Sequence, residues 1–284
     1  MNSDTYVLGT DTAELERLGR QHVIWQSDTL AAWDRAGFGP GQRLLDLGCG
    51  PGFATRDLAE RVGPAGAVLA IDNAPPYLRH LEEQAGVLGL AQIQTLEMDL
   101  TALPADLYSG ELLGSGTWDG AWCRWLAMFL SVPEALIELV CGALRPGGRL
   151  VLHEYVQWNT FALYPQGEGV ARFVQACIRQ WQAAGCDPDI AARLPRMLAG
   201  QGLRLLGARS LMACEPSSGS KARWLQDFLS SYPSRLEAAG LWSGSDQALL
   251  SSDLERALEH PSLWVTPAVV EQIWEKPGTP ANRS

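Results

Sequence analysis

The chain has 284 residues, 46% hydrophobic and 19% charged, enough apolar material for a substantial core, which excludes wholesale disorder. Its 32 acidic and 22 basic residues give a net charge of −10, which argues against a broad nucleic-acid or anionic-membrane surface because phosphate binding rests on clustered basic charge. The six cysteines (Cys49, Cys123, Cys141, Cys177, Cys186, Cys214) form no CxxC or CxxxC pair, so neither a zinc framework nor a dense disulfide scaffold is expected.

The first residues lack a basic segment followed by an apolar one, and no window holds the roughly 18 uncharged apolar residues of a membrane span. A cytoplasmic protein without leader or membrane segment is expected. Asp11 with Glu14 reads as a helix start, and Leu15, Leu18, His22 and Trp25 recur at helical spacing. A second helical stretch, Leu30–Ala36, ends at the breakers Gly37, Gly39, Pro40 and Gly41.

From Arg43 the pattern becomes strand–turn–helix. Arg43–Leu47 is a short apolar run stopped by Gly48-Cys49-Gly50-Pro51-Gly52, with a helix to Arg61 behind it. Strand Ala67–Ile71 and helix Pro76–Leu88 follow, then strand Gln92–Met98, strand Trp118–Cys123, helix Pro133–Leu144, a Pro146-Gly147-Gly148 turn and strand Arg149–Tyr155. Strands alternating with helices in this way predict an α/β fold with a doubly wound, mostly parallel sheet. Thereafter a helix over Glu168–Ala184, a strand over Leu203–Met212, helices over Lys221–Ala239 and Asp246–Glu259, and a last strand over Val265–Trp274 are expected. This divides the chain into an N-terminal helical cap (1–40), a Rossmann-like core (41–155), helical insertions at 156–202 and 215–262, a core strand at 203–214, and a closing strand with tail (263–284). The insertions are expected as a lid over the sheet's carboxyl edge.

The strongest chemical signal is Leu44–Gly52, a hydrophobic strand running into glycines spaced G-x-G-x-G. Such a turn brings bare backbone against a ligand at the carboxyl edge of the sheet. Phe53 stands where a dinucleotide fingerprint wants its third glycine, and no Gly-Lys-Ser/Thr follows, so neither that fingerprint nor a P-loop is matched. Asp72, twenty residues after Gly52, can accept hydrogen bonds from a ribose diol, and Asp99 at the end of the third strand can accept from an adenine amino group. Acidic residues after strands two and three fit a nucleoside lacking phosphate.

With Leu44–Gly52, Val68–Asp72, Met98-Asp99-Leu100, Trp118-Asp119-Gly120-Ala121 and Leu144–Leu150 in order, the chain resembles the class I S-adenosylmethionine-dependent methyltransferases. Within these it is nearest to small-molecule enzymes of the quinone-biosynthesis type, and Thr266–Trp274 resembles the family's antiparallel last strand, the seventh of its sheet. The resemblance implies S-adenosyl-L-methionine as cofactor. Gly48, Gly50 and Gly52, with Cys49 between them, would pass under its methionine and ribose parts. Asp46 would place the methionine amino group, Asp72 with Asn73 beside it the ribose hydroxyls, and Asp99 with Leu100 the adenine. Arg124 would border the methionine half. Tyr6, Gln21 and Trp25 precede the core where related enzymes fold a lid over the cofactor, although core packing of Trp25 is the competing reading.

Asn73-Ala74-Pro75-Pro76-Tyr77 imitates the Asn-Pro-Pro-Tyr motif of nucleic-acid amino-methyltransferases but follows strand two and carries an extra alanine. The expected acceptor is therefore a small, partly hydrophobic molecule rather than nucleic acid. A protein or RNA acceptor, or a non-catalytic binding protein, are the alternatives, and oligomeric state is not predicted. His153 and Glu154, ending strand five, are the candidates for base and orienting group, with a purely structural histidine the competing reading. Strand alternation lets only one of the two face a pocket directly. Trp125, Tyr155 and Trp158 are candidate acceptor contacts, against helix packing as the ordinary role of most of the 11 tryptophans. No metal site is expected.

Overall fold

The computed structural model describes residues 12–101, 103, 113–165 and 167–278. In chain order its elements begin α1 (Thr12–Ala36), β1 (Arg43–Leu47), α2 (Phe53–Val62), β2 (Ala67–Asp72), α3 (Pro75–Leu88), β3 (Ile93–Glu97), β4 (Trp118–Arg124), α4 (Pro133–Ala143) and β5 (Leu144–Tyr155). They continue with β6 (Ala162–Tyr164), α5 (Glu168–Ala183), α6 (Ile190–Gly200), β7 (Arg204–Ser210), β8 (Cys214–Pro216), α7 (Ser220–Ser231), α8 (Pro233–Ala238), α9 (Gly244–Glu259), β9 (Leu263–Val265) and β10 (Val269–Glu275). These fall into two compact units. The first holds the described residues up to His153, Arg193–Arg209 and those from Glu271 onward; the second holds Glu154–Ala192 and Ser210–Val270.

The first unit is built on a seven-stranded sheet of order β3-β2-β1-β4-β5-β10-β7. Strands β1 to β5 pair in parallel. Strand β10 runs the other way: Gly147 and Gly148 trade backbone bonds with Lys276, while His153, further along β5, stands beside Glu271. Steps β1→β2→β3 move one way across the sheet and β4→β5 the other, so right-handed crossovers place α2 and α3 on one face and α4 on the opposite one. Helix α1 joins the α2 face. There Trp33 packs edge-on against Trp122 at 5.5 Å, with Leu44, Leu58, Val151 and Ile273 around them. Each such fully buried side chain contributes about 1.5–3 kcal/mol.

Several elements differ from the sequence expectation, each for a local reason. The N-terminal region from Thr12 is one helix rather than two, because no proline interrupts it and the polar stretch at Gln26–Thr29 makes specific bonds. Gly19, inside it, gives Phe53 room: a Cβ there would lie 3.2 Å from the Phe53 ring. Pro146-Gly147-Gly148 lies within β5 instead of ending before it, and the β4–β5 register shifts between Trp118 and Gly120 to absorb it. The expected last strand is two, because Pro267 has no N–H to continue a ladder, so β9 and β10 join different sheets.

In the second unit β6, β9 and β8 form a small antiparallel sheet whose three-residue strands carry no readable periodicity. The expected helix 221–239 breaks at Tyr232, and Pro233 opens α8. Helices α5 and α9 approach closely because a Cβ on Gly169 would stand 2.3 Å from the Leu250 nitrogen. The Asp253 carboxylate of α9 accepts from the Val170 N–H at 3.0 Å, satisfying a first-turn donor of α5. The interior is aromatic: Trp158 meets Trp181 at 4.7 Å, Phe161 at 5.5 Å and Phe228 at 6.0 Å.

Candidate functional site

The order of the sheet reverses between β1 and β4, and ligands of doubly wound folds bind at the carboxyl ends of such a pair. The turn after β1 lies there. Gly48, Gly50 and Gly52 all have positive φ (67°, 53° and 79°), which glycine adopts without steric cost. Their surroundings differ. A Cβ on Gly48 would meet Leu126 at 2.9 Å and one on Gly52 would meet Leu81 at 2.4 Å, whereas one on Gly50 would meet nothing within 4 Å. Two glycines therefore serve packing, and the middle one faces open space.

The turn's donors are already engaged. Gly48 and Cys49 donate to the Ile71 carbonyl, Gly52 to that of Cys49, and Gly50 to Asp72 Oδ2 at 2.8 Å; Pro51 has no N–H. A phosphate needs such donors free, so this cradle suits a ligand that lies on the backbone without a phosphate at the turn. Asp72 also accepts from the Ala74 N–H at 2.9 Å, and burial raises its carboxyl despite these bonds. Each of its oxygens retains a lone pair for a hydroxyl donor. Asn73 beside it is exposed. Cys49 is buried, and burial holds its thiol protonated. Asp99 is exposed and its Oδ1 accepts from both the N–H and hydroxyl of Thr101, while Leu100 is buried. The structure thus gives Asp99 a local turn bond.

Asp46 points to the α2 side, where Thr55 donates to it at 2.7 Å. Burial pushes its carboxyl up to about 6, against the pull of the Thr55 bond and of Arg124. Arg124, ending β4 on the same face, donates to Thr29 Oγ1 at 3.0 Å and lies 3.4 Å from His22 Nδ1, both on α1. His22 in turn bonds Asp57, which Gln26 also reaches. Burial works to raise Asp57, but those two bonds hold it below the ordinary carboxylate value. Trp125 follows Arg124 at φ 53°, a left-handed conformation uncommon for a large residue, and its ring meets Trp25 edge-on at 5.3 Å. Trp25 is fully buried, so it packs in the core, and Gln21 accepts from Arg17 at 3.0 Å. Tyr6 lies outside the described residues.

His153 and Glu154 are both fully buried. His153 Nε2 lies 3.2 Å from Glu271 Oε2 on β10, and its ring meets Trp122 edge-on at 4.8 Å. Alternation places Glu154 on the other side of β5. Glu271 is the group that sequence reasoning missed. It sits 118 residues from His153, and its one signal was a carboxylate within the apolar run Val269–Trp274. Arg35 of α1 holds it bidentately at 2.9 and 2.5 Å. Burial works to raise the Glu271 carboxyl, yet the His153 and Arg35 bonds bring it down to about 2. Tyr155 is nearly buried, and Trp158 forms the aromatic interior of the second unit. Among the described residues no cluster of three or more His, Cys, Asp or Glu can hold a metal ion, and no helix is long and apolar enough to cross a membrane.

Comparison with known proteins agrees with this geometry. Residues 44–148 match the family model described as a methyltransferase domain. The chain is 30% identical over 162 residues to 2-phytyl-1,4-naphtoquinone methyltransferase of Thermosynechococcus vestitus, covering 56% of this chain and 62% of that one. It is 34% identical over 155 residues to nocamycin O-methyltransferase of Saccharothrix syringae, covering 55% and 52%. The chain therefore spans between half and two thirds of the length of these curated relatives. In fold it is similar to the cyclase SpnF, with a TM-score of 0.58 at 18% identity over 91% of this chain and 83% of that one. A glycine cradle without free donors, a carboxylate within β1 and one ending β2, and the family match have one common account: residues 44–148 form a methyltransferase domain.

Proposed function

We propose that the protein transfers a methyl group from S-adenosylmethionine to a small, partly apolar acceptor. The observation that carries this reading is the cradle itself, in which Gly50 faces open space while the N–H groups of the turn are engaged internally. Asp46 and Arg124, buried and half-buried and of opposite sign, suit the ammonium and carboxylate of a methionine end. Asp72 suits a ribose diol. The cofactor, when bound, supplies a methyl carbon activated by a sulfonium centre. The chain's residues then have to position the acceptor in line with that carbon and exclude water.

The named relatives act on a naphthoquinone and on nocamycin, which supports an acceptor of small-molecule size. The charge of −10 supports the same choice over RNA. A cytoplasmic location belongs to the same proposal. Calorimetry with S-adenosylhomocysteine and with NAD tests the cofactor: binding of the first and not the second is expected, and the reverse overturns it. A screen of metabolite extracts with a labelled methyl donor then tests transfer. Cofactor binding with no labelled product would make the chain a binding protein instead.

A further inference from the structure

Resting on that reading, we infer that His22 of α1 is the positioning residue of Arg124, holding the guanidinium in the attitude that meets the carboxylate of the cofactor's methionine end. His22, Gln26 and Thr29 stand at i, i+4 and i+7 on α1 and so share one face of the helix. His22 and Thr29 are buried there and Gln26 is half-buried. Polar side chains in such a place cost free energy unless each finds a partner. Their partners come from two other elements, Asp57 of α2 and Arg124 of β4.

The guanidinium is held at its edge and over its face. Nη1 donates to Thr29 Oγ1 at 3.0 Å, and Nη2 lies 3.4 Å from His22 Nδ1. Its central carbon stands 5.1 Å from the Trp125 ring and 5.9 Å from that of Trp122, within cation–π reach. The plane of the fork decides what an arginine can bind with two parallel bonds, so contacts that set the plane set the ligand geometry. The tautomer of His22 follows from its two ends. Arginine is always protonated and can only donate, so Nδ1 must carry the lone pair. An ionised Asp57 can only accept, so Nε2 must carry the hydrogen of the 3.0 Å bond to Asp57 Oδ2. Gln26 donates to the same oxygen at 2.8 Å and keeps that carboxylate in place. Donation therefore runs from Arg124 through His22 to Asp57 without conflict. A carboxylate in place of His22 would grip Arg124 harder but would neutralise it toward an incoming carboxylate. The imidazole holds the guanidinium and leaves its charge to the ligand.

The test reads the ring first, without ligand. In ¹⁵N-histidine spectra at about pH 8, where imidazole is ordinarily neutral, His22 is expected to carry hydrogen on Nε2 and none on Nδ1; hydrogen on Nδ1 overturns the proposal. Calorimetry with S-adenosylhomocysteine then reads the consequence. His22→Leu removes both bonds and is expected to raise the dissociation constant roughly tenfold, the low end for one hydrogen bond to a charged group. His22→Gln, which can accept from Arg124 and donate to Asp57, is expected to restore most of the affinity. Equal losses in the two variants, both folded by thermal melt, make His22 a packing residue and overturn the positioning role. In an Arg124→Met background His22→Leu is expected to change the constant little, and a loss as large as in the wild type overturns the proposal. Arg124→Met with unchanged affinity overturns it too, because no carboxylate then rests on that guanidinium. Absence of S-adenosylhomocysteine binding by the wild type overturns it together with the methyl-transfer reading, and the spectra show in that case whether the His22–Arg124 bond itself stands.

Discussion

Asp72 Oδ2 accepts the Gly50 N–H at 2.8 Å, tying the end of β2 to the middle of the glycine turn after β1. The same carboxylate is the proposed acceptor for the ribose hydroxyls. Asp72→Ala should therefore remove both a ligand contact and the anchor of the cradle. Hydrogen bonds to a charged group are worth about 1.5–3 kcal/mol, so the dissociation constant for S-adenosylhomocysteine should rise by roughly ten- to a hundredfold in calorimetry. An unchanged constant would take Asp72 out of the site.

Gly50 and Gly52 separate binding from packing. Both need positive φ, but only Gly52 has Leu81 against it, at 2.4 Å from an added Cβ. Gly52→Ala should lower the melting temperature markedly, because backbone strain and a clash add. Gly50→Ala meets open space, so it should cost only the roughly 1–2 kcal/mol of a left-handed alanine while abolishing cofactor binding. Thermal melts beside calorimetry on the two variants would show the split; equal losses of stability would contradict it.

Asp46 gives a pH signature of definite sign. Its folded-state carboxyl titrates near 6 against an ordinary 3.8, so the folded state binds its proton more tightly than the unfolded one. That cost is absent below pH 3.8, grows through the window up to about 6, and is full above it. Two pKa units correspond to about 3 kcal/mol. Asp46→Asn, which can still accept from Thr55, should stabilise the free protein at pH 7.5 and do little at pH 4, by urea denaturation at both values. The same variant should bind S-adenosylhomocysteine more weakly, since the proposed partner of its ammonium is gone.

Glu271 has the opposite sign. Its carboxyl is depressed to about 2 from 4.5, so its contribution is complete above pH 4.5 and is lost as pH falls toward 2. Acid unfolding of Glu271→Gln should accordingly be shallower than that of the wild type between pH 4.5 and 2. Parallel curves would mean that the Arg35 and His153 bonds carry little net stability.

In the second unit the indole N–H of Trp181 donates to the Tyr232 hydroxyl at 2.7 Å in a buried setting. Tyr232→Phe leaves that donor unsatisfied and should cost about 1–3 kcal/mol. Guanidinium unfolding monitored by tryptophan fluorescence would measure it, and a loss below a few tenths would show that water replaces the hydroxyl.

The sequence by itself determined the first half of this protein. Apolar runs ending in glycine or aspartate fix where strands stop and helices start, and Asp46 and Asp72 are legible because each interrupts such a run at or next to the strand end. Tertiary structure decided what those residues touch. Trp25 and Trp158, both open to a site role in the sequence, are interior side chains, because burial depends on which faces meet and helical spacing is the same for either use. Asp99 turned to its neighbour Thr101 because a carboxylate bonds the nearest donor when it is exposed. The pairing of His153 with Glu271 is the clearest case: two residues 118 apart become neighbours only when an antiparallel strand inserts beside β5, and no local pattern carries that register.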